Sequence, residues 1–168
     1  MTASVRTYFT GAPGSGKSTV AAKLHELTGA PWFEFGWIPE FRRLNPHTEL
    51  SYEKETQLSM ENLTLVAQNY LRHGFSNVMI SDLEDAKIVQ MYEKFGGYSR
   101  KIIRLYCDDA TTKTRVLTRD NGNEFRDWEA ALRISREIAA RPMLADETAF
   151  DSARMSPEEI AQAILQIT

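Results

Sequence analysis

The sequence predicts an α/β fold: a five-stranded, mainly parallel sheet flanked by helices, with residues 1–168 forming one unit. Two observations carry this reading. Five short runs rich in β-branched, aromatic and aliphatic residues alternate with segments of helical periodicity. A glycine-rich segment, Gly11 to Thr19, also stands between the first strand and the first helix.

The elements follow in order. Arg6–Thr10 reads as the first strand and Lys17–Thr28 as the first helix, stopped by Gly29. Trp32–Phe35 is the second strand. A short segment at Ile38–Leu44 and a long helix at Tyr52–Arg72 come next, and Gly74 closes that helix just after His73. Asn77–Ser81 is the third strand, and the helix Ala86–Phe95 is stopped by Gly96 and Gly97. Lys101–Cys107 is the fourth strand. Two helical patterns, Thr111–Thr118 and Phe125–Ala140, are divided by the polar stretch Arg119–Asp127, and Pro142 ends the second. Thr148–Asp151 is the fifth strand. The last helix, Pro157–Ile167, has Ser156 as N-cap, proline at its first position and Glu159 completing a capping box. Its apolar residues Ile160, Ala163, Ile164 and Ile167 share one face, which docks on the sheet.

With 168 residues the chain suits one domain with a full core. The formal net charge of −3 and the absence of a basic stripe argue against a dedicated nucleic-acid surface. No apolar run approaches the length of a membrane span, and Arg6 interrupts the apolar N-terminal residues, so no membrane partner and a cytoplasmic location are expected. The one cysteine, Cys107, ends an apolar run and is expected to be buried and inert. His25, His47 and His73 form no zinc pattern. Oligomeric state is left open, a homodimer included.

The segment Gly11-Ala12-Pro13-Gly14-Ser15-Gly16-Lys17-Ser18-Thr19 has the spacing of a phosphate-binding loop: glycine, four residues, glycine, lysine, serine. Its glycines let successive N–H groups turn inward on phosphate oxygens, and the positive end of the following helix adds to that nest. Lys17 is placed for the β- and γ-phosphates, and the Ser18 hydroxyl for Mg²⁺. Thr19 faces the leaving side. These residues predict a bound nucleoside triphosphate.

Other candidates gather at the strand ends. Asp82 closes the third strand, placed to reach Mg²⁺ directly or through water. Glu84 and Asp85 either assist there or favour the N-terminus of the next helix. Glu34, at the end of the second strand, can orient or deprotonate an acceptor hydroxyl, or is simply an exposed acid on a half-buried strand. Trp32, Phe35, Trp37 and Phe41 can wall a flat ligand or serve as core. Of Arg42 and Arg43, one facing the site would grip an anionic group. Arg115 and Arg119 share a helical face at the entrance to the polar stretch. They read as cations for a migrating phosphoryl group carried on a closing flap, or as surface partners of Asp120, Glu124, Asp127 or Glu129.

In these features the chain resembles the P-loop small-molecule kinases, the nucleoside and nucleotide kinase-like class with its shikimate, gluconate and nucleoside monophosphate kinase relatives. The resemblance runs over nearly the whole chain: the loop Gly11–Thr19, the acidic strand end at Glu34, Val78–Asp82, the entry at Arg115 and Arg119, and the tail Thr148–Ser152. It implies the sheet order 2-3-1-4-5, a lid at about residues 115–128, ATP and Mg²⁺ as ligands, and an adenine site lined by Ser152, Ala153 and Arg154. Glu34 suits a hydroxyl acceptor, and no zinc-cysteine lid is present.

The expected function is therefore transfer of the γ-phosphoryl group of ATP to a small hydroxylated metabolite, nucleoside-like in character. Lys17, Glu34, Asp82, Arg115 and Arg119 would be catalytic, with Glu34, Trp37, Arg42 and Arg43 binding the acceptor. Two alternatives stand beside it: a nucleotide-gated regulatory protein, and a kinase acting on polynucleotide ends. The lack of a guanine-reading Asn-Lys-x-Asp signature weakens a GTP-gated version.

Overall fold

Apolar runs at the centre of the chain pack on both faces and therefore form a sheet covered from both sides. The computed structural model describes residues 5–37, 49–94 and 99–167. Its strands are β1 (Val5–Thr10), β2 (Trp32–Glu34), β3 (Asn77–Ser81), β4 (Ser99–Tyr106) and β5 (Glu147–Asp151). All neighbours are parallel, in the order β2-β3-β1-β4-β5, with Tyr8 aligned to Ile80 on one side and to Ile102 on the other. The described helices are α1 (Lys17–Thr28), α2 (Tyr52–Arg72), α3 (Asp85–Lys94), α4 (Asp109–Thr118), α5 (Trp128–Ala140) and α6 (Pro157–Gln166). None is long and apolar enough to cross a membrane.

Alternation along each strand divides the interior into two cores. Tyr8, Val78, Ile80 and Ile102 face α2, where Met60, Leu63, Ala67 and Leu71 meet them. Phe9, Met79, Ile103 and Leu105 face the opposite way, onto Val20, Ala21 and Leu24 of α1 and Ile160, Ala161 and Ile164 of α6. Burial of each such isoleucine contributes about 1.5–3 kcal/mol, enough to hold the C-terminal helix on the sheet. The capping box at Ser156 forms as its sequence specifies, with Ser156 Oγ accepting from Glu159 N and Glu159 Oε2 accepting from Ser156 N.

Some boundaries move for local reasons. Phe35 leaves the second strand because Phe35–Trp37 turns into a 3-10 helix, so Glu34 is the last residue of β2. Cys107 lies beyond β4; it is buried, and its thiol is 3.1 Å from Thr112 Oγ1. The helix expected from Phe125 starts at Trp128, where Asp127 accepts from Ala130 N as the cap. Asp108 caps α4 in the same way through Thr111 N, which moves that helix start back to Asp109. His25 is structural: its Nδ1 donates to Ala30 O at 2.8 Å. The segment Ile38–Leu44, His47, Gly96 and Gly97 lie outside the described residues.

Candidate active site

The C-terminal ends of β1, β2 and β3 meet the glycine-rich loop at one edge of the sheet. Gly11 opens the loop at φ 145°, and a Cβ there would sit 2.4 Å from both Leu105 O and Ser15 Oγ, so only glycine fits. The turn closes through Ser15 N donating to Ala12 O at 3.1 Å. Ser15 Oγ is buried and has no hydrogen-bond partner. Lys17 Nζ folds back onto the loop, donating to Gly11 O at 2.8 Å and Ala12 O at 3.1 Å. Burial lowers its pKa to about 8; Asp82 and Glu34 oppose that shift and Arg119 adds to it. A lysine held this way is a cation short of counter-charge, and a phosphate would supply it.

The carboxylates come from the adjacent strand ends. Trp32 Nε1 donates to Ser81 Oγ at 2.8 Å, and Ser81 Oγ donates to Glu34 Oε1 at 3.3 Å, so β3 orients the Glu34 side chain. Asp82 follows at φ 63°, a left-handed conformation rare for a residue with a Cβ and one that marks functional turns. It is open to solvent at the cleft, yet burial of its carboxylate and the charge of Glu34 raise its pKa; Lys17 and the Gly36 N–H pull the other way. Gly36 is pressed against it: a Cβ there would lie 3.1 Å from Asp82 Oδ2.

Across the loop stand the arginines. Arg115 is fully engaged, its Nη1 donating to Ser152 Oγ at 2.9 Å and its Nη2 to Ser152 O at 2.6 Å. It thereby ties α4 to the turn after β5. Arg119 is different. Its Nε and Nη2 are buried without a hydrogen-bond partner, and burial together with Arg126 pushes its pKa below the ordinary arginine value. Its guanidinium lies 5.6 Å from the Phe125 ring centroid. Arg126 donates to Arg119 O and Asn123 O, so the polar stretch folds on itself between α4 and α5.

Lys17, Ser18, Thr19, Asp82, Arg115, Arg119 and Ser152 line one cleft of about 550 Å³ together with Pro13, Gly14 and Gly16. Glu34 stands close enough to shift both Lys17 and Asp82. Ala153 is exposed and outside the cleft lining, and Trp37 stacks on Trp32 at 5.3 Å with 54% of its surface exposed. Phe41, Arg42 and Arg43 lie outside the described residues. Among the described residues no group of three His, Cys, Asp or Glu could cage a metal ion. The donor set instead suits Mg²⁺, which takes one or two carboxylates and completes its shell with phosphate oxygens and water: Ser18 and Asp82 are the residues that would hold it.

A second cavity, about 730 Å³, adjoins the loop between α3 and α5 and shares Pro13, Lys17 and Asp82 with the first. Its floor is a charge cluster that sequence reasoning did not find. Arg141 bridges Asp85 of α3 and Glu147 of β5. Arg104 donates to Glu147 at 2.7 Å and Thr10 Oγ1 to Asp85 at 2.6 Å. The partners lie far apart in the chain and carry no shared local pattern, so only the fold reveals them.

No protein-family model matches the sequence, and no curated protein matches it. Solved structures do. A sugar kinase from Janibacter sp. HTCC2649 superposes with a TM-score of 0.67 at 20% identity, covering 97% of this chain and 93% of that one. Shikimate kinase from Bacteroides thetaiotaomicron gives 0.66 at 19% identity, covering 97% of each chain. A gluconokinase from Sinorhizobium meliloti 1021 gives 0.60 at 16% identity, covering 98% of this chain and 93% of that one. The chain has the fold of the P-loop small-molecule kinases.

Proposed function

We propose that this protein is an ATP-dependent kinase that phosphorylates a hydroxyl group of a small, nucleoside-like acceptor. The supporting observation is the pair of uncommitted cations on one cleft: Arg119, with Nε and Nη2 buried without partners, and Lys17, held by backbone carbonyls. Buried polar atoms left without partners signal a ligand that brings its own oxygens.

In this reading the loop amides and Lys17 bind the β- and γ-phosphates, Lys17 exchanging Gly11 O and Ala12 O for phosphate oxygens. Arg115, fixed by Ser152 O, borders the base side of the cleft with Ser152. Ser18 and Asp82 would hold Mg²⁺, which would supply positive charge to the phosphate oxygens. Glu34 orients the acceptor hydroxyl and takes its proton as the oxygen attacks the γ-phosphorus. The bond from that phosphorus to the β,γ-bridging oxygen breaks, and ADP leaves with its electron pair. Arg119 stabilises the charge spread over the migrating group, and the 119–127 segment limits water, whose attack would waste ATP.

The test incubates the protein with Mg·ATP and a panel of nucleosides, small sugars and RNA ends. Phosphorylated small acceptor is the expected product. Phosphorylation of RNA ends alone favours the polynucleotide kinase, and ADP release independent of any acceptor favours the gate. Glu34→Gln is expected to keep ATP affinity within about threefold while lowering transfer by about 10²-fold or more; undiminished transfer removes Glu34 from the mechanism.

A further inference from the structure

The cavity beside the phosphate loop carries information about the acceptor that the fold does not. On the premise of the kinase activity proposed above, we infer that the acceptor is an uncharged or ammonium-bearing alcohol with an apolar flank, and that this cavity rejects carboxylated and phosphorylated compounds.

Position comes first. The cavity touches Lys17 and Asp82, so a molecule within it can present a hydroxyl to the γ-phosphate. Leu83 and Val89 on the α3 side and Ile134 and Ile138 of α5 supply apolar walls, which fit a hydrocarbon or heterocyclic flank.

The balance of charge is the second point. Among the described residues two cations line the cavity, Lys17 and Arg141, and both are engaged. Lys17 faces the loop carbonyls and is committed to the nucleotide phosphates. Arg141 has five N–H donors, and the structure uses all of them. Nε and one Nη2 hydrogen go to Asp85; the other Nη2 hydrogen and one Nη1 hydrogen go to Glu147; the last Nη1 hydrogen goes to Pro142 O. A ligand carboxylate or phosphate could engage Arg141 in a two-pronged bond only by displacing Asp85 or Glu147.

The acids lining the cavity are not equally quenched. Asp85 is bound by Arg141, and Glu84 pairs with Lys87 at 3.0 Å. Asp82 faces the reacting phosphates. Glu137 on α5 is exposed and forms no ion pair among the described residues. Among the described residues, an anionic acceptor would therefore meet Glu137 with no uncommitted cation to offset it. An ammonium group would be drawn to Glu137, and an uncharged molecule would be tolerated.

A matched series keeps the reacting hydroxyls constant while changing only charge: 5-aminomethyluridine, uridine and 5-carboxyuridine, with an amino sugar, its neutral parent and its sugar acid as a second series. Affinities are measured by calorimetry on the ADP-loaded protein, and kcat/KM with Mg·ATP. Expected is a kcat/KM and affinity for the anionic member at least about tenfold below its uncharged relative, with the gap narrowed by Glu137→Lys. Anionic members bound or phosphorylated as well as their uncharged relatives overturn the inference. So does failure of every probe to bind a protein that binds ADP. Binding in the expected charge order with no phosphorylated product would leave the charge rule standing and sink the kinase reading instead, so the two failures are told apart.

Discussion

Two charge clusters flank the phosphate loop, and they are built on opposite principles. In the Arg141 cluster every donor of the central guanidinium is used, and Asp85 and Glu147 are held below the ordinary carboxylate range: burial would raise both, and the bonds from Arg141 outweigh it. Arg104 Nη2 is the exception, buried without a partner. In the cleft lined by Lys17 and Arg119 the reverse holds. Two Arg119 nitrogens lack partners, as does Ser15 Oγ within the loop, and burial lowers the Lys17 pKa to about 8. Folding closes the first cluster and leaves the second open. The difference separates residues that hold the fold from residues that await a ligand, although both sets are arginines, lysines and acids beside the same loop.

Mutations can break this contrast, and the largest effect belongs to the cleft. Lys17→Ala should lower kcat/KM by about 10²- to 10⁴-fold, roughly 3–5 kcal/mol of transition-state stabilisation. It should not lower Tm at neutral pH. The folded pKa, about 8, lies under the ordinary lysine value of 10.5, so the charged amine weighs against the folded state below pH 8 and is relieved as pH rises toward 10.5. A large fall in Tm would place Lys17 with the structural residues.

Arg141→Ala should do the opposite. Removing it leaves two acids facing each other in a largely buried setting, a loss of about 3 kcal/mol, or roughly 6–12 °C in Tm for a chain of this size. ATP affinity, read by calorimetry, should stay within about threefold. Because Asp85 and Glu147 have depressed pKa values, their contribution is present above the ordinary carboxylate values of 3.8 and 4.5 and is lost as pH falls through the folded ones. The Tm difference between wild type and Arg141→Ala should therefore shrink in acid; a gap unchanged at low pH contradicts the ionic account.

A smaller change is expected from Arg119→Ala: kcat down by about 10²-fold, near 2.7 kcal/mol, with Tm shifted by less than about 2 °C since no internal hydrogen bond of the guanidinium is lost. Unchanged kcat would assign Arg119 to the lid surface. The mildest effect is one of pH. Triphosphate affinity should be flat below pH 8 and weaken by up to about tenfold per unit above it, as binding comes to require a proton on Lys17. Titrations at pH 7 and 9 in buffers of different ionisation enthalpy measure that uptake, and none at pH 9 would refute it.

The same contrast explains what was legible in the sequence. The glycine-rich loop is a local device: its residues are adjacent, and their spacing alone fixes the anion nest. The strands and the Ser156 capping box are equally local, and they form as their patterns require. Boundaries slip where a nearby alternative wins, as at Phe35, which joins the 3-10 turn. Asp82 was legible by its place at a strand end, but its left-handed backbone was not, since nothing in Ser81-Asp82-Leu83 requires it. The Arg141 cluster was invisible for a different reason. Arg141 and Asp85 are 56 residues apart, and Arg104 and Glu147 are 43, so no local pattern in the sequence joins them.

The account turns on the open cleft being a triphosphate site. Calorimetric titration of the folded protein with Mg·ATP, beside Lys17→Ala, tests it most directly. Saturable one-to-one binding by the wild type, with affinity lost in the variant, is the expected result. A well-folded wild type that releases no heat with any nucleoside triphosphate, Mg²⁺ present, would contradict it.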